Sequence, residues 1–149
     1  MLPVSIVILL IARLTAASPI AKECFTQTGP YVMGDDKIEL VFSGRVVDYS
    51  VTADDAYRAT FDVDRVWKGS VSKRFDIYVW TLESPEMPRY EKGREDVVLA
   101  KRLTDPRLRK AVGLGDTDAP AFGAASCADS LSPRIREELG PGSPPRQPK

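Results

Sequence analysis

Few residues in this chain of 149 can do chemistry. It has two cysteines, Cys24 and Cys127, and no histidine. Without histidine there is no Ser-His-Asp or Cys-His nucleophile system, no His-ligated zinc and no ordinary pH switch near neutrality. Two thiols are too few for a four-cysteine metal site but enough for one disulfide. Ser126-Cys127 has no base in a motif beside it, so no catalytic residue is expected. Asp62 and Asp64 are paired carboxylates on a strand face. A hard cation wants more oxygens than such a face supplies, so they read as solvated acids. Asp35-Asp36 and Asp54-Asp55 read as turn residues. No metal ligand and no cofactor is expected. Arg102, Arg107, Arg109 and Lys110 gather around one long loop. They could contact an anionic polysaccharide, but in a chain with 21 Lys+Arg and 21 Asp+Glu a solvated loop is the simpler reading. The same balance argues against a nucleic-acid partner held by phosphate neutralisation.

The segments that would position these residues fall into three parts. Leu2 to Ala12 is an apolar run broken only by Pro3 and Ser5. It is short for a membrane span, which takes about 20 residues, and suits the core of a secretory signal peptide. No Lys or Arg precedes it. Thr15 and Ala17 then place small residues at −3 and −1 of a cut after Ala17. The expectation is a signal peptide over residues 1–17, with a buried N-terminal strand or helix as the alternative. Cleavage removes one base, Arg13, and no acid, so the mature charge stays near zero. After it, no stable membrane insertion is expected. Export would make the compartment secreted or periplasmic and oxidising, where Cys24 and Cys127 are expected to pair. A loop of that length is worth about 4–5 kcal/mol at most in the chain-entropy account. Two free thiols in a cytosolic protein is the alternative.

The length fits one domain, expected over residues 22–140. Ile38–Tyr49 is β-rich, with Ile38, Leu40, Phe42, Gly44 and Val46 on one face. Gly44 signals a bend or bulge. Tyr57, Ala59, Phe61, Val63 and Trp67 alternate with polar residues across Ala56–Trp67, the clearest period-2 segment in the chain. That phase favours Trp67 as a core residue. Further strands are expected over Arg74–Thr81, Asp96–Leu103 and Ala121–Ala125. In the third strand Trp80 falls opposite Phe75, Ile77 and Val79, so it is read as an exposed aromatic and a candidate contact. Residues 104–120 read as an exposed loop in which Asp105 to Val112 could form a short helix. Ser132–Leu139, with Ser as N-cap, Pro133 at the first helical position and Gly140 after the end, reads as a C-terminal helix. Residues 141–149 hold four of the twelve prolines and no apolar anchor, and are expected to be disordered. The fold class is therefore mainly β, a five-stranded OB-fold barrel with a short C-terminal helix. An immunoglobulin-like sandwich would need about seven strands.

One pattern adds to this. Val41-Phe42-Ser43-Gly44-Arg45-Val46-Val47, then Ala59 through Val66-Trp67-Lys68-Gly69, then Tyr90-Glu91-Lys92-Gly93 resembles the netrin-like domain in its bacterial version, related to the tissue inhibitors of metalloproteinases. Val-Trp-Lys-Gly is its most specific element, and the resemblance spans roughly residues 22–140. It implies an exported, non-enzymatic OB-fold module whose partner is a protein or a glycan. In the inhibitors, a first cysteine at the mature N-terminus chelates the zinc of the target protease, and two disulfides pin it. Here Lys22 stands where that first cysteine would be, if Cys24 matches the second. Glu86 stands at the position of its mid-chain partner. The resemblance thus implies that one bridge is lost as a unit and that Cys24–Cys127 is the other. A zinc protease inhibited through the N-terminus is the alternative function, and an enzyme a weaker one. The residues around Cys24, namely Lys22, Glu23, Phe25 and Thr26, are with Trp80 the candidate binding surface.

Overall fold

The computed structural model describes residues 29–80, 90–116, 119–125 and 135–148. They form, in order, α1 (Gly29–Gly34), β1 (Leu40–Ala53), β2 (Ala56–Lys68), β3 (Arg74–Trp80), β4 (Glu95–Arg102), α2 (Pro106–Ala111), β5 (Phe122–Ala125) and α3 (Ile135–Leu139). The five strands close into a barrel in the order β1-β2-β3-β5-β4. All neighbours are antiparallel except β3 and β5, which run parallel. A parallel pair needs a crossover, and β4 with its following connection supplies it. The expected five-stranded barrel with a short C-terminal helix is the architecture observed. No helix among the described residues is long and apolar enough to cross a membrane.

The alternation read from β2 fills the lumen. Tyr57, Ala59, Phe61 and Val63 point inward and are fully buried. Phe61 meets Phe42 edge-on at 5.5 Å between ring centres, and Tyr90 at 5.3 Å. Such rings contribute about 2–3 kcal/mol each through burial, with edge contacts adding to it. The Tyr57 hydroxyl oxygen accepts the backbone N–H of Tyr90 at 3.1 Å, which satisfies a polar atom inside the barrel.

Gly44 lies at a register shift, as its position suggested. Gly44 pairs with Val63 while Ser43 pairs with Arg65, so Asp64 is the extra residue of a bulge in β2. A Cβ on Gly44 would stand 2.6 Å from the Asp62 carbonyl oxygen and 3.0 Å from the Val63 Cα. The bulge also resets the phase of β2: Val66 joins the lumen cluster, and Trp67 packs outside against a second one. Trp67 is therefore not a lumen residue.

Two layers cover the outside. Val32 of α1 and Ile135 of α3 pack on Ile38, Val41 and Val97. Ser43, fully buried, donates its hydroxyl to the Asp64 carboxylate at 2.5 Å, and Arg136 of α3 faces the same carboxylate at 3.6 Å. Asp62 pairs with Lys73 at 2.8 Å. Both acids remain about half exposed, as solvated carboxylates do, and each also holds a local partner. On the other side, Leu103, Val112 and Ala121 bury Trp80, with Leu108 and Leu114 against them. Trp80 is 5% exposed, so its reading as an exposed contact is corrected. Its phase on β3 is as expected, but the β4–β5 connection folds over it. Lys101 adds a cation 5.7 Å from the ring centre.

The expectation of a disordered tail is corrected for residues 141–148. Val66 and Ser143 exchange both backbone hydrogen bonds at 2.8 Å. The Arg146 N–H donates to the Val71 carbonyl at 2.8 Å, and the Lys73 N–H to the Arg146 carbonyl at 3.2 Å. The anchor is backbone pairing, which composition does not display. Gly44→Ala should destabilise the protein by about 1–3 kcal/mol, because the new methyl meets backbone that cannot rotate away. Urea unfolding checks this; an unchanged midpoint would contradict the close approach of β1 and β2.

Candidate binding surface

Cys24, Cys127, Lys22, Glu23, Phe25 and Thr26 lie outside the described residues, as do residues 1–17. Trp80 is under the β4–β5 connection. The structure separates Arg102, at the end of β4, and the three cations of that connection into different roles. Arg109 is 8% exposed and acts as an internal clamp. Its guanidinium donates to the Leu103 carbonyl at 3.1 Å and to the Gly115 carbonyl at 3.1 and 3.0 Å. Arg102 pairs with Glu39 at 3.6 Å and lies over the Phe122 ring at 5.2 Å. Arg107 and Lys110 are exposed.

Local sequence explains how α2 sets them there. The Asp105 side chain caps the helix by accepting the Arg107 N–H at 2.8 Å, and Pro106 follows at the start where its missing N–H costs nothing. After Val112, Gly113 takes φ +81. A Cβ there would stand 2.3 Å from the Thr52 carbonyl oxygen, so the end of α2 seats directly on the β1–β2 hairpin. Arg109 then draws residues 103 and 115 together from inside. Between α2 and the chain that follows it lies an open groove of about 350 Å³, lined by Pro106, Arg107, Lys110, Leu114, Gly115 and Asp116. It offers an apolar wall, two cations one helical turn apart and one acid. Such a groove can hold an anionic group beside an apolar one.

A second surface surrounds Trp67. Its indole N–H donates to the Gly140 carbonyl at 2.8 Å, and Gly142 approaches the ring so closely that a Cβ there would stand 3.0 Å from the indole nitrogen. Period-2 reasoning missed it because the bulge at Asp64 reverses the face on which Trp67 emerges. Among the described residues no group of three or more acids or thiols converges to hold a metal ion.

Arg107 and Arg109, two residues apart and so on different faces of α2, should respond unequally to removal. Arg109→Met should cost about 2–3 kcal/mol, since it leaves the buried Leu103 carbonyl and the part-buried Gly115 carbonyl without their charged donor. Arg107→Met should change stability by less than about 0.5 kcal/mol. Equal denaturation midpoints for the two variants would contradict the clamp.

No family model, no curated protein and no solved structure matches this chain.

Proposed function

We propose that this protein is an exported, non-enzymatic binding module of netrin-like type, which holds a protein or glycan ligand on the outside of its barrel. The observation that carries this reading is the filled lumen. Phe42, Phe61, Tyr57 and Tyr90 occupy the interior and leave a ligand only the outer surface. Barrels of this class bind through strand faces and loops of that kind. The residues of the resemblance support the architecture rather than a reaction. Phe42 and Phe61 meet in the lumen, and Gly44 permits the bulge. The Lys68 ammonium donates to the Asp35 carbonyl at 2.8 Å, and Gly69 takes φ +77 to turn the chain out of β2.

The groove beside α2 is the surface assigned to the ligand. Arg107 and Lys110 form no ion pair among the described residues, unlike Arg102, which pairs with Glu39. Titration with a sulfated oligosaccharide and with an acidic peptide should show saturable binding that weakens as salt rises. Arg107→Ser with Lys110→Ser should weaken it by about tenfold, from roughly 0.7 kcal/mol per exposed ion pair. Absence of saturable binding to both probes would remove this groove as the ligand site.

Export is tested separately. Protein recovered from the oxidising compartment should resist alkylation until it is reduced, because Cys24 and Cys127 are paired. Two thiols that alkylate without reduction would reject the bridge.

A further inference from the structure

The β2–β3 register runs to Asp62 and Arg74, one further bond joins the Val63 N–H to the Lys73 carbonyl at 2.8 Å, and beyond that point the two strands diverge. Residues 69–72 loop away and leave a wedge between the end of β2 and the β2–β3 connection. The chain's own segment 140–148 fills that wedge in extended form. On one side Ser143 pairs with Val66 through both backbone groups; on the other Arg146 bonds to Val71 and Lys73. The two residues between, Pro144 and Pro145, have no N–H to place. Pro145 is buried, while Ser143, Pro144, Arg146, Gln147 and Pro148 are exposed. Trp67 forms the floor at the entry, with its N–H on the Gly140 carbonyl and Gly142 against its ring.

These features describe recognition of a peptide. An aromatic floor with one indole donor, backbone pairing at the two ends and a site for a proline pair between them is how extended proline-containing segments are held. The segment is also lightly attached. It buries one side chain, and Gly140 and Gly142 sit at φ +79 and +66 on either side of Pro141, so the backbone can hinge there without strain.

We propose that the wedge between β2 and residues 71–73, floored by Trp67, is a binding groove for an extended peptide of Ser-Pro-Pro-Arg type, and that residues 140–148 occupy it as an intramolecular ligand. A partner peptide then competes with a tethered segment present at an effective concentration of about a millimolar. This site stands apart from the α2 groove and does not depend on it.

The test uses the full chain carrying Ser143→Pro and Arg146→Pro, which removes the two N–H donors of the segment and no barrel residue. A fluorescein-labelled peptide of residues 140–148 is titrated by anisotropy against this variant and the unaltered chain. The released variant should keep its β circular dichroism and bind the peptide saturably, at least about tenfold more tightly than the unaltered chain does. The peptide with proline at both pairing positions should not bind. In the unaltered chain, the amides of Val66, Lys73, Ser143 and Arg146 should exchange together, about tenfold or more faster than those of Phe61 and Val98. Equal binding by both chains, no binding to the released variant, or loss of its β structure would overturn the proposal. So would exchange of the four amides only on global unfolding.

Discussion

β1 carries backbone partners on both edges: over Val41–Arg45 it pairs with β2 on one side and β4 on the other. That double pairing closes the barrel, and it is sterically demanding. A strand shared by two neighbours has to curve, and curvature comes from bulges and from a residue without Cβ. Gly44 supplies the second and Asp64 the first, at one register position. The bulge then does two things at once. It presents the Asp64 carboxylate to the buried Ser43 hydroxyl, and it turns Val66 inward and Trp67 outward. The docking of α3 through Arg136, and of the C-terminal segment on Trp67, both follow from that local change of phase.

With the lumen packed, binding chemistry is confined to the outside, where β-sheet faces compete with their own covering. The chain covers one face with α1 and α3, and another with the β4–β5 connection. The second cover relies on a buried cation. A guanidinium that is 8% exposed has to meet carbonyls with its donors, and Arg109 meets two. Composition counts Arg109 with Arg107 and Lys110 as one basic cluster. Geometry makes the first a structural clamp and leaves the other two for contact with solvent or a ligand.

What was legible in the sequence was the local, periodic part. The alternation of Tyr57, Ala59, Phe61 and Val63 located β2, Gly44 marked the bulge, and α2 falls inside Asp105 to Val112, the part of the long loop open to a short helix. The misses arose where distant chain decides. Trp80 has the outward phase assigned to it, but exposure depends on whether another segment lands there, and Leu103, Val112 and Ala121 do. Trp67 was misplaced because period 2 fails across a bulge. The order of the segment after Gly140 is invisible to composition, because its prolines and small residues carry little apolar content. Its attachment runs through backbone groups common to every residue. The residues placed by resemblance around Cys24 lie outside the described part of the fold.

The same prolines have a physical reason to be where they are. A strand added at a diverging pair of strands cannot bond continuously to both, so a residue buried at the crossing, as Pro145 is, would carry an unsatisfied N–H there. Proline at 145 removes that donor, and the exposed proline at 144 helps keep the backbone extended. An unsatisfied buried N–H costs about 1–3 kcal/mol, comparable to the whole gain from one such pairing contact, so the fit depends on which residues lack the donor. The edge of β2 is thereby covered by a segment matched to its geometry, yet held by few enough contacts that a competing strand of the same chemistry could replace it.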